Sequence, residues 1–350
     1  MILTIFAVIG AVLFGAGQGI TIPILIASFK SALASPYYIV VSSAAWFALI
    51  FGFLYIIVYK KNSIKLFRHK KGEWSVFCLT GLFDALTGIC IVYASDATRT
   101  PIVMQTVLAG FTVIFTLIVS KSITNAKKRV KVFNPYVVVS ILLLFTSVGL
   151  STIPQIHHSE FGFKSIFWIG IYLTGTICRA IYNTLQEKYM NDIGTENDTI
   201  NKATILFWTC AFQFLFSIVF IWVDFLPLFG YSHPDNFGNK TLEFAECYFS
   251  IDCEYTFLYA MAFVGSYIGS YICAIQLNSE SASFSMMTNS MIGPSIILFF
   301  TLDPTMNPGI DYPIYIAIPV VLCSVTSIVI WGYWEQAQNT NSESRYSRIN

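Results

Sequence analysis

Ten apolar segments separated by short polar connections make up almost the whole chain. They cover about 2–28, 36–59, 74–95, 101–120, 134–153, 165–186, 203–224, 256–277, 284–302 and 313–334. Each is close to the roughly 20 residues that a helix needs to cross the hydrocarbon core of a bilayer. The pattern predicts an all-α integral membrane protein with ten transmembrane helices in one domain over 1–334. Nothing in it resembles a linker between soluble domains, and the polar tail 335–350 is expected to be disordered. A cut near residue 157 leaves five spans on each side, one repeat over about 1–156 and a second over about 157–334. An odd number of spans per half forces the halves into opposite orientation, so the expected arrangement is an inverted 5+5 repeat with a site near the midplane between them. Sliding span four onto span nine pairs Met104 with Met286, Thr106 with Thr288 and Ile114 with Ile296.

Charge adds the orientation. With the N-terminus cytosolic, 15 of the 20 Lys and Arg residues fall in the even-numbered connections and the tail, four face the other side, and Arg179 lies inside a span. That is the positive-inside distribution, with both termini cytosolic. The main clusters are Lys60, Lys61, Lys65, Arg68, Lys70 and Lys71 after span two, and Lys121, Lys127, Lys128, Arg129 and Lys131 after span four. Composition agrees: 55% hydrophobic and 11% charged residues exclude an ordinary soluble domain. The basic residues orient the chain in lipid and form no nucleic-acid face. The first apolar run starts at residue 2 and is too long for a cleaved leader, so it is expected to stay as an anchor helix.

Six of the eight cysteines lie within spans and read as small buried apolar residues. Cys247 and Cys253 fall in the one long non-cytosolic connection, about 225–255, where an oxidising compartment and five intervening residues favour a disulfide. The same connection carries Asn239-Lys240-Thr241, a glycosylation sequon on the side where it could be used. His157, His158 and His233 are also placed on that side, where loop histidines are ordinarily solvated. On the cytosolic tail, Tyr346-Ser347-Arg348-Ile349 is similar to the tyrosine-based sorting signals that adaptors read, with Tyr346 and Ile349 as its anchors.

Only two charges sit deep in lipid: Asp84 in span three and Arg179 in span six. A charge there costs about 2.5 to 3.5 kcal/mol by insertion scales, so it faces a partner or a hydrated path. Asp84 reads as a proton or cation site and Arg179 as an anion contact, against a structural ion pair or snorkelling of Arg179 to the surface. Tyr172, Thr176, Arg179, Asn183 and Gln186 recur at helical spacing and share one face of span six. Shorter polar stripes are Thr80, Asp84 and Thr87 on span three, Gln105, Thr112 and Thr116 on span four, Gln213 and Ser217 on span seven, and Ser266, Ser270 and Cys273 on span eight. With Asn289 in span nine they would line a central cavity, although a lone hydroxyl in a span usually bonds its own backbone. Small-residue spacings, Gly15 with Gly19 and Gly265 with Gly269, predict close helix contacts. Pro23, Pro294 and Pro319 mark interruptions. No nucleotide loop, metal-ligand motif or nucleophile with a spaced base occurs, so the chain reads as a non-enzyme without cofactor or metal.

Several of these residues carry a resemblance to the chloroquine-resistance-transporter-like family of the drug/metabolite transporter superfamily. They are Gly81-Leu82-Phe83-Asp84, Gln105, Glu187-Lys188-Tyr189, Gln213-Phe214-Leu215-Phe216 with Leu226-Pro227, the cysteine-bearing connection, and Ile292-Gly293-Pro294. The resemblance implies ten spans, an inverted repeat, a central cavity and proton-linked export of small solutes from acidic or storage compartments. Members move peptides, cationic drugs or glutathione-like thiols. Drug-transporting members are similar only in part: where they carry an Asn-Lys pair in span one, this chain has Thr21-Ile22-Pro23-Ile24. Where they have an acidic residue in span eight, it has Gly265-Ser266, and its long connection holds two cysteines instead of four.

Together these features predict a secondary active transporter of small polar or amphipathic metabolites (peptides, amino acids, thiols or cationic drugs). It would work by alternating access with a proton gradient in a vacuolar or endolysosomal membrane. Its partners would be the substrate, protons, the bilayer and a sorting adaptor, with no nucleic acid. The alternatives are a nucleotide-sugar transporter of the same superfamily, which lysine pairs in the cavity would favour, and a non-transporting membrane receptor or scaffold. The path residues predicted are Asp84, Gln105, Arg179, Asn183, Gln213 and Asn289.

Overall fold

The structure, a computed structural model, describes residues 2–29, 36–62, 71–95, 99–100, 102–123, 135–152, 163–194, 197–230, 234–251, 253–296 and most of 318–331. His157, His158, His233, Tyr346 and Ile349 lie outside the described residues. The helices are α1 (Ile2–Ser28), α2 (Pro36–Lys61), α3 (Lys71–Ala94), α4 (Ile102–Ile123), α5 (Pro135–Thr152), α6 (Phe163–Lys188), α7 (Asp198–Val219), α8 (Phe237–Tyr248), α9 (Thr256–Asn278) and α10 (Ala282–Asn289). Residues 292–296 and the described positions of Ile318–Trp331 are helical as well. Among the described residues, five helical segments are long and apolar enough to cross a bilayer: Leu3–Ile22, Tyr37–Lys61, Gly72–Ala94, Asp198–Phe225 and Thr256–Asn278. Their outer faces carry exposed Leu3, Phe6 and Leu13 on α1, Leu49 and Phe53 on α2, and Leu215 and Val219 on α7. Such faces need lipid around them, and the protein is a membrane protein.

Local sequence sets the ends of these helices. The Asn197 side chain accepts from Ile200 N at 3.2 Å and opens α7, and Ser281 Oγ accepts from Phe284 N at 3.3 Å and opens α10. The chain leaves α10 at Ser290 and Met291, where Met291 N tightens onto Thr288 O at 3.1 Å, then resumes as helix over 292–296. Pro294 has no N–H for the Ser290 carbonyl, which accounts for the break. The expected 225–255 connection is not all coil. After a 3-10 turn over Phe220–Phe225 it folds α8, which buries Phe244, Cys247 and Tyr248, and Cys247 is bonded to Cys253 just before α9.

Packing follows the small residues. α1 lies along α9, α2 along α7, α3 against both α6 and α7, and α4 against α5 and α6. A Cβ on Gly15 would meet Ile292 Cδ1 at 2.3 Å, and one on Gly19 would meet Ile296 Cδ1 at 2.2 Å, so both are needed where α1 meets the segment after α10. Gly269 receives the Phe14 ring. Gly265 has nothing within 4 Å and is exposed, so only one glycine of that expected pair makes a contact.

Candidate functional site

Asp84 stands thirteen residues into α3, 1% exposed. Close packing puts it there: a Cβ on Gly81 would lie 2.3 Å from Phe212 Cβ, so α3 and α7 nearly touch one turn before the carboxylate. Thr209 Oγ1 donates to Thr80 Oγ1 at 3.1 Å across the same seam. The Tyr271 hydroxyl of α9 donates to Asp84 Oδ2. Tyr267 stacks on Tyr271 with centroids 4.8 Å apart and donates to its hydroxyl at 3.5 Å, and Phe47 of α2 stacks on Tyr267 at 4.2 Å. An acidic group is therefore held at the junction of α3, α7 and α9 beneath a column of aromatic rings.

Arg179 projects from α6 into electrostatic range of Asp84 and of Tyr172, Tyr182, Tyr267 and Tyr271. It is half-buried, and among the described residues no ion pair within 4.0 Å joins it to Asp84. A tight salt bridge, one of the two structural readings open from sequence, is not what the geometry has. One turn along α6, Asn183 donates to Arg179 O at 2.8 Å and accepts from Asn278 Nδ2 at 2.8 Å.

The other expected path residues are placed differently. Gln213 is buried on α7 with Oε1 unpartnered, and Ser217 Oγ one turn on is unpartnered too. Gln105 turns away from the Asp84 layer: Nε2 donates to Ser95 O at 3.0 Å and Thr100 O at 2.8 Å, tying the α3–α4 connection. Asn289 is half-buried at the end of α10, beside the break. On α9, Ser266 and Cys273 do not face Asp84. A Cβ on Gly17 of α1 would meet Ser266 Oγ at 2.8 Å and one on Gly10 would meet Cys273 Sγ at 2.6 Å. The stripe that faces Asp84 is Tyr267 and Tyr271, an i,i+4 aromatic pair that sequence reading passed over because a tyrosine in a span is usually core. Thr80, Thr87 and Thr116 donate to backbone carbonyls three or four residues back, the ordinary fate of hydroxyls in spans. Asn239 is exposed on α8. Of the span cysteines, Cys178 and Cys210 are buried and Cys78, Cys90, Cys273 and Cys323 half-buried, all as free thiols.

Towards the other end of α3, nine residues past Asp84, Tyr93 donates to the buried Asp224 Oδ1 at 2.7 Å. Arg99 donates to Tyr93 O at 2.9 Å and Phe229 O at 2.7 Å, and its guanidinium lies 4.2 Å from the centre of the Trp168 ring of α6. This cluster joins α3, α6 and the segment after α7, and none of its residues stood out from the sequence pattern.

The family profile described as CRT-like, chloroquine-resistance transporter-like, matches residues 28–233. The chain belongs to the CRT-like family. The match spans α2 to α7 and so takes in Asp84, Arg179 and Gln213. Membership identifies this CRT-like chain with a transporter family at the level of class alone. No curated protein matches it. A solved structure described only as "Crystal structure of protein" is similar over 95% of this chain and 98% of its own, with a TM-score of 0.61 and 12% identity, a likeness of fold alone.

Proposed function

We propose that this CRT-like protein is a secondary active transporter that moves small polar or amphipathic metabolites by alternating access, coupled to protons, in a vacuolar or endolysosomal membrane. The observation that carries the reading is a buried carboxylate, Asp84, bonded to a tyrosine hydroxyl and close to a cation, Arg179, that is not locked to it. A structural ion pair would neutralise both charges permanently. Here Asp84 can take up a proton while Arg179 keeps its charge for an anionic group on the substrate, and the surrounding tyrosines offer rings and hydroxyls to the remainder. Protonation neutralises Asp84, the only carboxylate in this layer among the described residues, and a site that alternates between charged and neutral can favour one facing of the path over the other.

Helix packing supports the inverted-repeat reading of the fold. An exchange of spans one to five with six to ten maps the α1–α9 contact onto α6–α3, and α4–α6 onto α10–α1, and all four contacts are present. The same exchange maps the α2–α7 and α4–α10 contacts onto themselves, as it does the hydrogen bond from Ser327 Oγ to Ser140 O at 2.7 Å. The basic clusters favour cytosolic termini, and Asn239 as a lumenal glycan site and the Tyr346/Ile349 tail as a sorting signal are parts of the same reading.

The test is uptake into proteoliposomes with an imposed pH gradient, over a panel of oligopeptides, amino acids, glutathione, cationic drugs and nucleotide sugars. Accumulation of one class that collapses with a protonophore is expected. Absence of gradient-dependent flux for every class would remove the transport reading and favour a receptor or scaffold.

A further inference from the structure

We propose that Asn278, the last residue of α9, is the latch that holds one mouth of the path closed. Its Nδ2 donates to Asn183 Oδ1 and to Gln186 Oε1, both at 2.8 Å and both on α6. The three side chains are 0%, 1% and 3% exposed. Around them, Asn183 Nδ2 reaches Met286 Sδ of α10 at 3.7 Å, and Glu187 Oε2 accepts from Ala282 N at 3.3 Å, where α10 begins. Two adjacent turns of α6 thus hold the end of α9 and the start of α10 together, and the α9–α10 turn seals the bundle.

Its depth relative to the candidate site is set by helix rise. From Arg179 to Gln186 along α6, and from Tyr271 to Asn278 along α9, is seven residues, or about 10 Å. Two parallel measures place the latch one layer outside Asp84, at the end of the bundle that carries Lys60 and Lys61: Lys202 near the start of α7 donates to Gln276 of α9 at 2.6 Å, and Thr204 two residues on lies 2.8 Å from the Tyr59 hydroxyl of α2. The closure is also incompletely satisfied. Asn278 Oδ1 and Ser285 Oγ are buried without a partner. In a gate they regain water when the turn lifts, which offsets the hydrogen bonds lost and brings the closed and open forms near balance.

The inference rests on the transport reading for its purpose, but its test does not need a substrate. A Ser285→Cys reporter in the full-length reconstituted protein is labelled with a membrane-impermeant maleimide from either side, and the rate at position 285 is read by peptide mass spectrometry. Adding Asn278→Ala is expected to raise that rate about tenfold from the side carrying Lys60 and Lys61, leaving the rate from the opposite side and at the buried Cys210 unchanged. Gln186→Leu, which removes one acceptor and keeps the bulk, should give a smaller rise in the same direction and serves if Asn278→Ala does not yield monodisperse protein. An unchanged rate in both variants overturns the latch, and so does a parallel rise at Cys210, which would mean general loosening. If position 285 opens as expected while the parent moves no solute, the latch stands and the transport reading falls.

Discussion

A carboxylate in lipid is costly, and what it touches decides its use. Asp84 has one described side-chain donor, the Tyr271 hydroxyl, and Arg179 lies near but unpaired with it. Asp84→Asn keeps the shape and a hydrogen-bonding oxygen but can no longer carry a charge that comes and goes. We expect it to abolish pH-driven accumulation in proteoliposomes while substrate exchange partly survives, measured on protein that stays monodisperse. Full proton-driven accumulation in that variant would refute the coupling role. The residue was legible because a lone Asp in an apolar run is conspicuous. Tyr271 was not, because nothing in a tyrosine's spacing says whether its hydroxyl meets a carboxylate or merely packs, and only the approach of α9 to α3 answers that.

At the scale of elements, two devices fix where the site sits. The first is the α3–α7 seam, where Gly81 leaves no room for a Cβ between Phe212 and the Gln213 backbone. Gly81→Val would push the helices apart and is expected to cost at least about 1 to 3 kcal/mol by overpacking, read as a fall in the melting temperature of purified protein, with Gly238→Ala, at an open position, as the neutral comparison. The second device is the bonded Cys247–Cys253 loop, which ties α8 to the start of α9. So small a ring stabilises by about 2 kcal/mol through chain entropy. Cys247→Ser with Cys253→Ser should lower the melting temperature, and in the parent protein both cysteines should resist alkylation until they are reduced, as read in non-reducing peptide maps. Recovery of both parent cysteines as free thiols from intact cells would contradict an oxidising compartment. The pairing was visible in the sequence from compartment and spacing. The helix beside it was missed, because its buried Phe244, Cys247 and Tyr248 are too short a pattern to stand out among so many aromatics.

For the whole molecule, orientation decides which end of the bundle would face the cytosol and which a lumen under the proposed function. Asn239 is exposed on α8, so if that end is lumenal the sequon is available to the glycosylation machinery. Asn239→Gln is then expected to abolish an endoglycosidase-sensitive mobility shift in protein expressed in a glycosylating host. A tag at the C-terminus that is reachable only from outside unpermeabilised cells would overturn the orientation. The sequence by itself determined that the chain is a membrane protein and roughly where its long helices run, since these follow from composition and period along one dimension, and its motif residues carried the resemblance to the family it joins. Tertiary structure alone decided which face of each helix meets which neighbour: that Ser266 and Cys273 look to α1 while Tyr267 and Tyr271 look to Asp84, that Gln105 closes a connection, and that Asn278 ties α9 to α6. A helix that is apolar all round has no amphipathic stripe to announce its inner face, so the rotation of each span is set by the few glycines, hydroxyls and rings at its contacts, and those act only once their partners are in place.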